Sequence, residues 1–155
     1  MSLLFTLLIV YQLKHFVADY PLQGKFMLGK FLPYPHFILP LLAHASVHGI
    51  FTFFIAVCFK DFKTAIALAI FDSVTHFVVD RIKASPNLLG RFKALSATEM
   101  KTLLTTGCTP GSIAPSSPQK KADVLRSNVL FWWCLGFDQM AHHLTHYAII
   151  WVLVS

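Results

Sequence analysis

Four apolar runs, separated by short polar or proline-bearing breaks, organise this chain. They cover residues 2–19, 37–59, 64–82 and 127–155. A helix needs about 20 apolar residues to cross the hydrocarbon core of a bilayer, and each run meets or approaches that length. Pro21 should stop the first, because its ring removes a backbone donor and clashes with the preceding turn. Residues 21–36 mix Gly24, Gly29, Pro33 and Pro35 with Phe, Met and Leu, and carry Lys25 and Lys30. That mixture predicts a short interfacial segment whose lysines reach to lipid head groups. Residues 60–63 form a tight polar connection, so the second and third helices should be antiparallel neighbours. Residues 84–126 are the one long stretch outside the apolar runs. They hold a weak helical pattern over 88–104 and a flexible Pro/Ser-rich loop over 107–121. Trp132, Trp133 and Trp151 lie near the ends of the last run, where interface anchors belong. The expectation is a single all-α domain over 1–155. It is a polytopic membrane protein with a bundle of about four transmembrane helices, and an interfacial or cytoplasmic loop joins helices three and four.

The polar positions inside these runs are not scattered. The first run carries His15 and Asp19, with Gln12 on the same face, and the second carries His44 and His48. The third carries Asp72, His76 and Asp80, followed by Lys83, and the last carries Asp138, His142 and His146. A spacing of four returns to the same helix face one turn on, so each set forms a stripe. Ionisable groups within a bilayer are costly unless they pair with one another or with a cation.

Composition supports the membrane class. Of 155 residues, 55% are hydrophobic and only 13% charged, with a mean hydropathy of +0.61 and 15 Phe. A soluble domain of this size could not hide so much apolar surface. The net charge of +6 comes mostly from lysines and arginines in the connections, where they set topology. Nucleic acid is therefore not expected as a partner. The connections after the first and third runs hold most of the Lys and Arg, which places them in the cytoplasm and both termini outside. Apolar from Leu3 but without a basic leader region, the N-terminus reads as a retained span rather than a cleaved signal. Cys58, Cys108 and Cys134 are odd in number and lack Cys-x-x-Cys spacing, so they read as reduced, small apolar residues.

The acids decide the chemistry. Four of the six Asp, and six of the eight His, fall on these intramembrane stripes. Acids placed for solubility would lie in loops. At about 1.5 Å of rise per residue the stripes overlap in the cytoplasmic half of the bilayer, with His146 deepest and the weakest ligand candidate. The expected metal ligands are His15, Asp19, His44, His48, Asp72, His76, Asp80, Asp138 and His142. Imidazoles with carboxylates and no thiolate suit zinc first, then manganese or iron. Nine ligands exceed one tetrahedral shell. Either two ions share a bridging carboxylate, or one ion has outer carboxylates that orient its histidines. Lys83 is placed to stabilise developing negative charge on a substrate, or else reaches the interface as a snorkelling lysine. Gln23 and Gln139 can hydrogen-bond around the ligands. His-Glu-x-x-His, Gly-x-Ser-x-Gly and P-loop patterns are absent, which disfavours zincin-type proteases, serine hydrolases and nucleoside triphosphatases. The His-rich spacing is similar in part to the histidine boxes of membrane di-iron hydroxylases, but this set is richer in Asp.

The phrases His15-Phe-Val-Ala-Asp19-Tyr-Pro-Leu-Gln23, His44-x-x-x-His48, His76-x-x-x-Asp80-x-x-Lys83 and Asp138-Gln-x-x-His142 carry a resemblance. Taken together they resemble a family of small bacterial and phage integral-membrane proteins known as a domain of unknown function. That family is distantly similar to predicted membrane-bound metal-dependent hydrolases. The resemblance runs from His15 to His142 and implies a membrane fold, a bacterial inner-membrane location and hydrolase chemistry.

The expected function is a membrane-embedded metal-dependent hydrolase. It acts on a lipid-linked or membrane substrate through a metal-activated water, with membrane lipid as its surroundings. Asp19 or Asp80 would be the general base, and Lys83 would stabilise the developing charge. The alternative is a divalent-cation or proton transporter, for which the polar stripe would be the path. A third reading is a polar network that only holds the helices together. The nearly apolar outer halves of the first two runs argue for a site open on one side.

Overall fold

The computed structural model describes residues 2–32, 34–85 and 129–155. Four α-helices and one 3-10 helix account for most of them. They are α1 (Leu3–Asp19), the 3-10 helix (Met27–Phe31), α2 (Ile38–Ala56), α3 (Phe62–Ala84) and α4 (Val129–Val154). The helix expected over 88–104 and the Pro/Ser-rich loop 107–121 lie outside the described residues.

Local chemistry sets the boundaries. Ser2 caps α1 by accepting from the Phe5 N–H, and the helix ends just before Pro21. Asp61 caps α3, accepting from the Lys63 and Thr64 N–H groups and from the Thr64 hydroxyl. The Thr64 side chain and then the backbone N–H groups hold the Asp61 carboxyl below its ordinary range. This cap starts α3 at Phe62, two residues before the apolar run expected at 64, because it satisfies N–H groups that the first turn leaves open. Helix α2 ends at Ala56, three residues before the apolar run does. There the chain tightens, with the Lys60 N–H donating back to the Ala56 carbonyl.

The helices alternate in direction. Thr52 meets Asp72 and His44 meets Asp80, so α2 and α3 are antiparallel, as the short connection predicts. Among the described residues this pair shares the most extensive contact in the bundle, and Gly49 allows a close approach. α1 packs on α2 and α4, and α4 packs on α3.

The bundle has two unlike ends. At one, Leu7, Tyr11, Ala56, Ala65, Leu68, Ile149, Ile150 and Leu153 form an apolar core. At the other the interior is polar. Along the bundle as a whole the outer helix faces present Phe5, Phe16, Phe54, Ile70, Phe137 and Trp151. Buried ionisable groups inside and large apolar groups outside invert the pattern of a soluble domain.

α2 and α3 are long and apolar enough to cross a membrane. α1 has 17 residues, roughly 25 Å at 1.5 Å each, and so falls short of a hydrocarbon core of about 30 Å. α4 has the length, but Asp138, Gln139, His142, His143 and His146 dilute its apolar character. Of the four spans expected from the sequence, two therefore meet the length and composition of a span by themselves.

Candidate metal centre

Every His and Asp of the stripes points into the polar end of the bundle, whereas Gln12, expected on the same face, is exposed. The i, i+4 spacing stacks His15 over Asp19, His44 over His48, Asp72 over His76 over Asp80, and Asp138 over His142 over His146. All are buried except Asp19, whose side chain is 16% exposed. That places Asp19 at the edge of the cluster and the histidines within it.

Asp19, His44, His48 and His76 converge most tightly. Asp19 Oδ1 lies 3.0 Å from His48 Nε2, 3.4 Å from His44 Nε2 and 3.8 Å from His76 Nε2. His76 Nε2 and His44 Nε2 are 3.3 Å apart. Ligand atoms at about 2.0–2.1 Å from a tetrahedral zinc ion are separated by about 3.3–3.4 Å along each edge. Four of the six separations among these donor atoms fall between 3.0 and 3.8 Å, around that edge length, and all lie within 4.8 Å. Among the described residues the Nδ1 atoms of His44 and His48 have no hydrogen-bond partner, so packing holds these rings in place. The His48 and His76 rings stack at 3.5 Å between centroids, and His142 stacks on His76 at 3.9 Å.

A second group adjoins the first through His76. The donor atoms of His76, Asp80 and His142 lie within 4.8 Å of one another. Asp80 faces both ways, with Oδ2 3.4 Å from His44 Nε2 and Oδ1 3.7 Å from His142 Nε2. Asp138 Oδ1 stands 3.5 Å from His142 Nε2, and both atoms are buried without a hydrogen bond among the described residues. A third group joins His15, His48 and His146, the residue expected to be the weakest ligand. His15 Nε2 is also 3.2 Å from Asp19 Oδ2 and 3.1 Å from Gln139 Oε1. Buried His/Asp clusters that can hold a metal ion are therefore present.

Three lysines, Lys14, Lys30 and Lys83, line the same interior. Lys14 pairs with Asp72, which also accepts a hydrogen bond from the Thr52 hydroxyl at 2.6 Å. Lys14 Nζ is 3.3 Å from His146 Nε2. Lys30 is buried rather than turned to head groups. It reaches from the 3-10 helix to Asp80 Oδ2 at 2.7 Å and to Gln23 Oε1 at 3.0 Å. Lys83 donates to Asp138 Oδ2 at 2.6 Å and lies 4.0 Å from Asp80 Oδ1. Of the nine expected ligands, seven belong to the three groups, while Asp72 and Asp138 stand outside them with lysine partners. The missed signal was Lys14, a cation within the first apolar run that required a counter-ion. Lys30 carried no such signal, because nothing local tells an inward lysine from a snorkelling one.

Comparison of this chain with protein-family models, with characterised proteins and with solved structures finds no match.

Proposed function

We propose that this protein is a multi-pass inner-membrane, metal-dependent hydrolase acting on a membrane or lipid-linked substrate. The convergence of Asp19 Oδ1 with the Nε2 atoms of His44, His48 and His76, at 3.0–3.8 Å, carries the reading. Charge balance supports it. With the histidines neutral, as metal ligands must be, Asp19, Asp72, Asp80 and Asp138 bring four carboxylates against the three ammonium groups of Lys14, Lys30 and Lys83, an excess that a cation would offset. The likeness of the His/Asp phrases to predicted membrane hydrolases accords with this, as do the two span-like helices and the apolar outer faces.

A divalent ion among Asp19, His44, His48 and His76 would supply Lewis acidity toward a water or an ester oxygen. Asp80, oriented by Lys30, takes the proton of the attacking water at Oδ1. Lys83 stands beside it and offsets negative charge developing on the substrate. The apolar core at the far end of the bundle leaves no polar continuation there among the described residues, which favours a one-sided site over a transport path.

Elemental analysis of detergent-purified protein provides the test. One or two equivalents of zinc, manganese or iron are expected, lost in His76→Ala, which removes a ligand common to two groups. Lys83→Met should retain them. Equal metal content in wild type and His76→Ala would overturn the reading.

A further inference from the structure

A groove with a volume of about 390 Å³ runs between α3 and α4. It falls in the size range of small-molecule sites, about 300–1,000 Å³. Val79 and Ile82 of α3 and Leu130, Trp133 and Phe137 of α4 supply apolar walls. Its only charged lining groups among the described residues are Lys83 and Asp138. Lys83 is also the one lysine of the cluster with appreciable access, its side chain 28% exposed against 2% for Lys14 and 6% for Lys30. The groove is thus apolar along its walls and charged where it meets the candidate metal centre.

We propose that this groove binds the apolar chain of a single-chain amphiphile whose anionic phosphoryl head reaches Lys83 and the metal-bearing cluster beyond. The head-group charge rests on the metal reading. With its histidines neutral the cluster is short of one positive charge without a cation, and with even one divalent ion it becomes net positive and complementary to an anion. An apolar chain has reason to lie here because α3, one wall of the groove, is a candidate membrane span. Its outward face is already lined with Ile70, Val74 and Val78. Entry is lateral, from the lipid, and brings the head toward Asp80 and His142 rather than toward the apolar end of the bundle.

A photoreactive dodecyl phosphate carrying a diazirine on its chain tests this in the full-length protein in detergent. Crosslinks should concentrate on Leu130, Trp133 and Phe137. Unlabelled dodecyl phosphate should protect these positions, and dodecanol should not. Val79→Phe, which fills the groove without touching a candidate ligand, should cut labelling several-fold. Lys83→Met should abolish the preference for the phosphate. Crosslinks spread evenly over the outward faces of all four helices would overturn the proposal, as would equal protection by dodecanol in metal-loaded protein. Metal content measured on the same samples separates the two readings. Metal-free protein whose groove is still labelled, but without preference for the phosphate, keeps the apolar-chain site and removes the hydrolase. Uniform labelling of metal-loaded protein does the reverse.

Discussion

Lys14 and Asp72 show what a buried pair commits a residue to. Both are nearly inaccessible, and the Thr52 hydroxyl donates a second hydrogen bond to the same Asp72 oxygen, Oδ2. Removing one member leaves the other charged and uncompensated, which costs about 3–5 kcal/mol. Lys14→Met should therefore lower the unfolding temperature markedly, and adding Asp72→Asn should recover much of the loss. Melting curves of the single and double variants check this; additive losses would mean that the two residues do not act as a pair. Asp72 is where sequence spacing and structure part. Its place on the Asp72–His76–Asp80 stripe makes it resemble a ligand, yet the nearest cation is an ammonium group from α1. Spacing reports which face a residue occupies; what stands opposite depends on another helix.

At the scale of elements, the α2–α3 hairpin sets the site, since it supplies His44, His48, His76 and Asp80. Its closeness depends on Gly49. A Cβ there would stand 2.7 Å from the Ala69 carbonyl oxygen and would also meet the Ser73 side chain. Ser73 can rotate away, but a backbone carbonyl cannot. Gly49→Ala should push the helices apart at a cost of about 1–3 kcal/mol. It should also weaken metal binding, because His48 and His76 move with their helices. Isothermal titration with zinc reads this directly, and unchanged affinity would show that the helix spacing does not govern the site. The hairpin itself was legible, from the tight polar connection at residues 60–63 and the apolar runs on either side. The inward turn of the 3-10 helix, which delivers Lys30 to Asp80, was not.

At the scale of the whole molecule, metal and fold should be linked. A cation that binds only the folded bundle adds about 2.7 kcal/mol at 100 times its dissociation constant. Chelation should lower the melting temperature of wild type and leave His76→Ala unaffected. The same shift in both would mean that the chelator acts elsewhere. The bundle places its polar end opposite an apolar core, so loss of the ion should loosen the former before the latter.

The sequence by itself determined the helices and their polar faces. Apolar runs and i, i+4 spacing follow from the geometry of a single helix, and that geometry is local. It also brought His15, Asp19, His44, His48, Asp72, His76, Asp80, Asp138 and His142 forward as one set, of which seven fall in the three groups, because ionisable residues in apolar runs must find partners. Only the tertiary structure decided the partners themselves: that Asp72 and Asp138 go to lysines, that Lys30 turns inward, and that His146 joins a group. Those choices depend on how far apart the helices pack and how each is rotated. Such quantities arise from contacts between distant segments, and no single stretch of chain contains them.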